Sequence, residues 1–230
     1  MGFLEFLKRW PKVEGEIGYF NLTEWWLSTF TEVERNHIES VYRPLGCSLD
    51  DETPRPLTQG QISWSSGSAS KLLYGLASWF YNPVDRYIAH RILAKAEELA
   101  ESSGDVLDLH FTYYAMIQIY YKDRDAGPVA LNDSIVACEK QIALSPKTIE
   151  AFKKELPEHP LPNHLGFTQL AIIREKQGDY IEAIRLSKLA MEQGWSGDWE
   201  DRITRYEKKL NRGKVLNKKK GEMKKGKEPN

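Results

Sequence analysis

The chain is predicted to be all-α, and three observations predict it. Nearly every apolar segment repeats with the 3.6-residue period of a helix rather than alternating. Helix-start signals precede several of these segments, with Asn or Thr standing three residues ahead of Glu. Gly and Pro punctuate the gaps, and no stretch reads as a convincing strand.

The elements follow in order. In "NLTEWW", Asn21 is expected to cap a helix, with Glu24 three residues on. In "TEVERNHIESVYR", Thr31 and Glu34 form a capping box, and Pro44 and Gly46 stop that helix. Residues 46–68 are rich in Ser, Pro, Gly and Asp and predict a long loop, with room for a short extended piece at "SWS". Leu72, Leu73, Leu76, Ala77 and Phe80 share one face of the next helix. Pro83 suits the first turn of the helix after it, which turns Ile88, Ile92, Ala96 and Leu99 inward and ends at Gly104.

"LHFTYYAMIQIYY" is apolar almost all round, so it should be the most buried helix. After the loop "KDRDAGPVA" come two helices, "LNDSIVACEKQIAL" and "KTIEAFKKEL", separated at Ser145 and Pro146. The Pro-rich connector "PEHPLPN" leads to three last helices, at about 164–177, 180–193 and 198–211. The last shows one stripe of Trp199, Ile203, Tyr206 and Leu210.

Composition narrows the classes. With 230 residues, 41% hydrophobic and 28% charged, the chain matches an ordinary soluble protein long enough to bury a core. No apolar run approaches the ~18 residues of a membrane span. The start, "MGFLEFLKRWPKVEGE", lacks the apolar region of a signal peptide, and Phe6 stands where myristoylation would want Ser or Thr. Two distant cysteines, Cys47 and Cys138, then imply reduced thiols and a cytoplasmic setting. The net charge of -1 hides an asymmetry, because Arg212 to Asn230 carry eight Lys and Arg against two Glu. That leaves 24 basic and 31 acidic residues in 1–211. The segment 212–230 has too few apolar residues to fold and is predicted to be a disordered basic tail.

The stretch Leu165–Trp195 resembles a tetratricopeptide repeat, a 34-residue helix-turn-helix with sparse large and small positions. Phe167, Leu170 and Ala171 stand at the large, large and small positions of its first helix. Gly178, Asp179 and Tyr180 match the turn, and Ala183 and Ala190 the two small positions of the second helix. Small residues let paired helices approach closely, and Gly178 suits a helix end where φ > 0 is needed. Three positions depart from the pattern. Arg174 replaces an aromatic, Ser187 a large residue, and Trp195 the closing proline.

Weaker echoes lie upstream. "FTYYAMIQIYY" and "DSIVACEKQIALSP" resemble a pair with a loop about seven residues too long, and Ala89, Leu93 and Ala96 resemble a second helix. The resemblance implies a helical-hairpin stack over 82–211, with 198–211 as terminal cap. It does not extend to the N-terminal helical region 1–81, which loosely resembles small bacterial proteins of unknown role.

Catalytic and metal signals are weak. Glu34 and His37 have the ExxH spacing of di-iron bundles, but no second ExxH exists, so no metal is expected. His159 and His164 flank the Pro-rich connector and are expected to be solvated. His110 is expected to be a satisfied core residue, and Cys138 a buried inert thiol. "WSSGSAS" has no lysine placed for a phosphate and is expected to supply a helix cap. No catalytic constellation or cofactor motif is present in the sequence, so the chain is not expected to be an enzyme.

The function expected is a monomeric scaffold that binds a protein or peptide in a groove between stacked helix pairs. The resemblance implies that Thr168, Ile172, Glu175 and Lys176 face the groove, with Thr112 and Met116 as upstream candidates. The alternative is nucleic-acid association through the lysine-rich tail alone. A third possibility places an enzyme site in 1–81, around Trp25, Trp26 and Glu34.

Overall fold

A computed structural model describes residues 11–44 and 55–225, the last stretch beyond Arg212 by its backbone alone. Gly46, Cys47, the first part of the expected loop and the end of the expected tail lie outside the described residues. The chain forms two compact units that divide between Ser103 and Gly104.

The first unit contains α1 (Gly15–Tyr19), α2 (Thr23–Thr29), α3 (Glu32–Val41), α4 (Ala69–Ala77) and α5 (Arg86–Ser103). The second contains α6 (Val106–Tyr120), a 3-10 turn (Tyr121–Asp123), α7 (Pro128–Glu155), α8 (Leu165–Lys176), α9 (Tyr180–Glu192) and α10 (Trp199–Lys225). Among the described residues no strand is formed, including at "SWS", and Asn163 and Ser196 make an isolated bridge. The all-α class is therefore observed. Helix α5, which the sequence places at the start of the repeat region, belongs to the first unit.

In the first unit the capping box of α3 is formed, with Glu34 N–H donating to Thr31 Oγ1 and Thr31 N–H to Glu34 Oε2. Ser68 caps α4 by accepting from Lys71 N–H at 3.0 Å. Leu73, Leu76, Ala77 and Phe80 are fully buried, as are Ile88, Ile92 and Ala96 on α5, which packs against α4. Leu72 and Leu99, at the margins of those faces, are half-buried.

Two starts differ from expectation. Asn21 does not cap α2. Its φ is +57°, a left-handed conformation that Asn tolerates better than most residues, so it shapes the turn out of α1 instead. Pro83 precedes α5 by more than a residue, and its fixed φ is used within the turn closed by Asp85 N–H and Asn82 O.

In the second unit each helix packs on the next, and α6 also touches α8. Buried residues of α6 lie all round it, from His110 to Ile119. The small residues Ala171, Ala183 and Ala190 are fully buried beside Phe167 and Leu170, and Gly178 turns the chain with φ +80°.

The expected break at Pro146 is absent, because α7 runs through it. Proline removes one backbone donor, but neighbouring residues are anchored on both sides. Ser145 and Thr148 are fully buried, and the Thr148 hydroxyl donates to Leu144 O at 3.2 Å. Burial of both flanking turns outweighs the lost hydrogen bond.

α10 also continues beyond the expected end at 211, through Lys225. Lys, Glu and Met are good helix formers, and adding residues to an existing helix avoids the cost of nucleation. Low apolar content therefore does not prevent regular structure there.

Candidate functional site

The second unit presents a stripe along α8 that meets side chains from the 3-10 turn after α6 and from α10. Thr168, Ile172 and Glu175 follow helical spacing and are half-buried, and Lys176 beside them is exposed. Glu175 turns toward α10, where Lys209 Nζ lies 2.8 Å and Arg205 Nε 3.3 Å from Oε1. Burial alone would raise its pKa, but the hydrogen bond from Lys209 and the charges of Arg205 and Lys209 outweigh that and hold it below the ordinary value.

Lys176 turns the other way. Its ammonium donates to the Tyr121 hydroxyl at 2.9 Å and lies 5.5 Å from that ring's centre, while the Arg124 guanidinium lies 4.6 Å from it. These groups line a depression of about 260 Å³, completed by Asp125, Leu131, Ile173 and Gln177. Side-chain bridges thus run from the end of α6 to α8 and from α8 to α10.

The α8 residues are those the sequence led one to expect, whereas Tyr121, Arg124, Arg205 and Lys209 beside them were not expected. The only signal available in the sequence was the i, i+4 pair of cations on α10, which names no partner without the fold. Thr112 and Met116 do not join this face. Thr112 is fully buried with its hydroxyl unpartnered, and Met116 is 6% exposed. Their helix is enclosed on most sides, so apolar content on α6 signals core.

A second cluster is buried. His164, expected to be solvated, is fully buried, because it caps α8 by accepting from Phe167 N–H at 3.4 Å. Its ring meets Trp195 at 4.6 Å and His110 at 5.3 Å, and His110 stacks on Trp195 at 6.0 Å. His110 is in the core but not satisfied, since its Nδ1 has no partner, and neither has His164 Nε2. Burial lowers the His110 pKa to about 4. Burial and the neighbouring His110 lower that of His164 to about 3. Both rings are neutral at pH 7, and their surroundings are aromatic rather than reactive. His159 is exposed.

The remaining candidates have separate partners. Glu34 binds Arg91 at 2.6 Å, whereas His37 Nε2 meets Asp85 Oδ1 at 3.0 Å, so the ExxH pair does not converge. No cluster of three or more His, Cys, Asp or Glu suited to a metal occurs among the described residues. Trp26 is 1% exposed and packs with Phe30 at 5.4 Å, which makes it core. Cys138 is buried, and burial pushes its thiol up to about 12, far from a reactive thiolate. No helix among the described residues is long and apolar enough to cross a membrane. No protein-family model, curated protein or solved structure matches the chain.

Proposed function

We propose that the second unit is a tetratricopeptide-like scaffold that binds a protein or peptide segment along α8, between the end of α6 and α10. The observation that carries this is the pair of side-chain bridges on opposite sides of α8. Lys176 to Tyr121 and Glu175 to Arg205 and Lys209 join alternate helices of the unit into one surface. In a stack of helix pairs, alternate helices line the same face, and that face receives the ligand. The Arg124, Lys176, Arg205 and Lys209 side chains make this surface basic at both margins, which favours a partner with acidic residues.

The test uses substitutions that leave the Glu175 bridges alone. Reversing Glu175 would set a third cation against Arg205 and Lys209, so lost binding could be blamed on the fold. Lys176→Glu changes an exposed position instead. Partners captured from native lysate by the parent should be lost by this variant at an unchanged melting temperature. Full retention of those partners removes the groove assignment.

A further inference from the structure

The first unit holds a cleft outside every expected site. Its volume is about 510 Å³, within the roughly 300–1,000 Å³ typical of small-molecule sites. Glu16 enters it from α1, Tyr42 from the end of α3, Lys71 and Gly75 from α4, and Trp79 from beyond α4. The Tyr42 and Trp79 rings meet edge to face with centroids 5.7 Å apart.

Glu16 is incompletely partnered. Its carboxylate accepts from the Tyr42 side chain, yet Oε2 is buried without any hydrogen bond, and no ion pair reaches it among the described residues. Lys71 lines the same cleft. Burial, and then the negative charge of nearby Glu39, raise the Glu16 pKa above the ordinary carboxylate value. Glu39 differs in having Thr58, Arg55 and Arg43 around it, although its own Oε2 is also buried without a hydrogen bond and burial raises its pKa as well.

Gly75 adds an independent observation. It lies inside α4, where glycine costs helix stability, and a Cβ there would meet nothing within 4 Å. Packing therefore does not require the glycine. Its effect is to leave the cleft open.

We infer that this cleft binds a small molecule bearing an ammonium group, with Glu16 as counter-ion and Tyr42 and Trp79 as aromatic walls. An ammonium in the cleft supplies the opposite charge that Glu16 lacks, and aromatic faces attract it further. Lys71 is a second, separate charge in the same space. It offers a place for an acidic group if the ligand is an amino acid, and none for a simple amine.

The experiment titrates the full chain with phenethylammonium, with uncharged phenethyl alcohol of the same shape, and with L-phenylalanine, following each by ligand-observed NMR. Phenethylammonium is expected to bind at least about tenfold more tightly than the alcohol. Glu16→Gln should erase that preference while keeping the fold, because it replaces the carboxylate with a neutral group of the same size. Gly75→Leu should fill the cleft and abolish binding of all three without lowering the melting temperature, since Leu outranks Gly in a helix. Tighter binding of L-phenylalanine than of the amine, with the gain lost in Lys71→Met, assigns the amino-acid class, and weaker binding assigns simple amines. Equal affinity for amine and alcohol overturns the inference. So does a preference that survives Glu16→Gln, or no binding of phenethylammonium in the millimolar range.

Discussion

His110 and His164 link a local arrangement to a measurable property of the second unit. Both rings are buried, and each keeps one unpartnered nitrogen, so protonation in the folded state is unfavourable. Their folded pKa values, about 4 and about 3, lie below the unfolded value of 6.5. The unfolded chain therefore binds more protons below pH 6.5. The stability these neutral rings permit is fully present above that pH and is lost as the pH falls toward 4 and 3. Each imidazole contributes a slope of up to about 1.4 kcal/mol per pH unit in that window. We expect urea unfolding at pH 6.5, 5.5 and 4.5 to show a shallower loss in His110→Phe than in the parent, and parallel losses would show that the ring protonates in the folded state. Ala183 and Ala190 test packing at the same scale. Both are fully buried, so Ala183→Leu or Ala190→Leu is expected to cost ~1–3 kcal/mol by overpacking. Variants that melt like the parent would show that this face has room.

Between elements, Gln141 holds three helices together. From α7 its Oε1 accepts from Gly166 N–H at 2.7 Å, and its Nε2 donates to His110 O at 3.0 Å. Gly166 allows that approach, since a Cβ there would come within 2.9 Å of the same oxygen. Gln141→Leu would leave the Gly166 donor buried without a partner at the start of α8, at a cost of about 1–3 kcal/mol. Thermal melting measures it, and an unchanged transition would show that water or a shifted backbone replaces the amide. Such a residue marks what was not legible in the sequence. The repeat-like spacing of Ala171, Ala183 and Ala190 placed buried positions correctly, because a 3.6-residue period maps directly onto one helix face. Local rules failed where tertiary contacts overrode them. Pro146 predicts a break, but Ser145 and Thr148 are locked into the core around it. His164 beside three prolines looks solvated, but it caps α8 and packs on Trp195. At the candidate site Lys176 and Glu175 were legible as a helix face, while Tyr121, Arg205 and Lys209 come from distant sequence.

At the scale of the whole molecule, charge and folding separate along α10. Trp199, Ile203 and Tyr206 bury the helix against its neighbours, and Arg205 and Lys209 bind Glu175. All of them precede Arg212. Beyond it the helix continues to Lys225 through a segment dominated by lysine, which has little to bury whatever its backbone conformation. A chain ending at Arg212 is therefore expected to melt within a few degrees of the parent, since the anchoring residues named above are all kept. Its far-UV helical signal should fall by the contribution of the lost turns alone. The same cut separates the two classes of partner. Contacts between lysines and phosphates release counterions, so any affinity of the full chain for nucleic acid should fall steeply with salt and vanish in the truncated chain. Binding of a protein segment along α8 should survive the cut, because Lys176, Tyr121, Arg205 and Lys209 all remain. A large drop in melting temperature would mean that residues 213–230 pack on the body. Tight, salt-resistant nucleic-acid binding by the truncated chain would transfer the function from α8 to a nucleic-acid surface on the body itself.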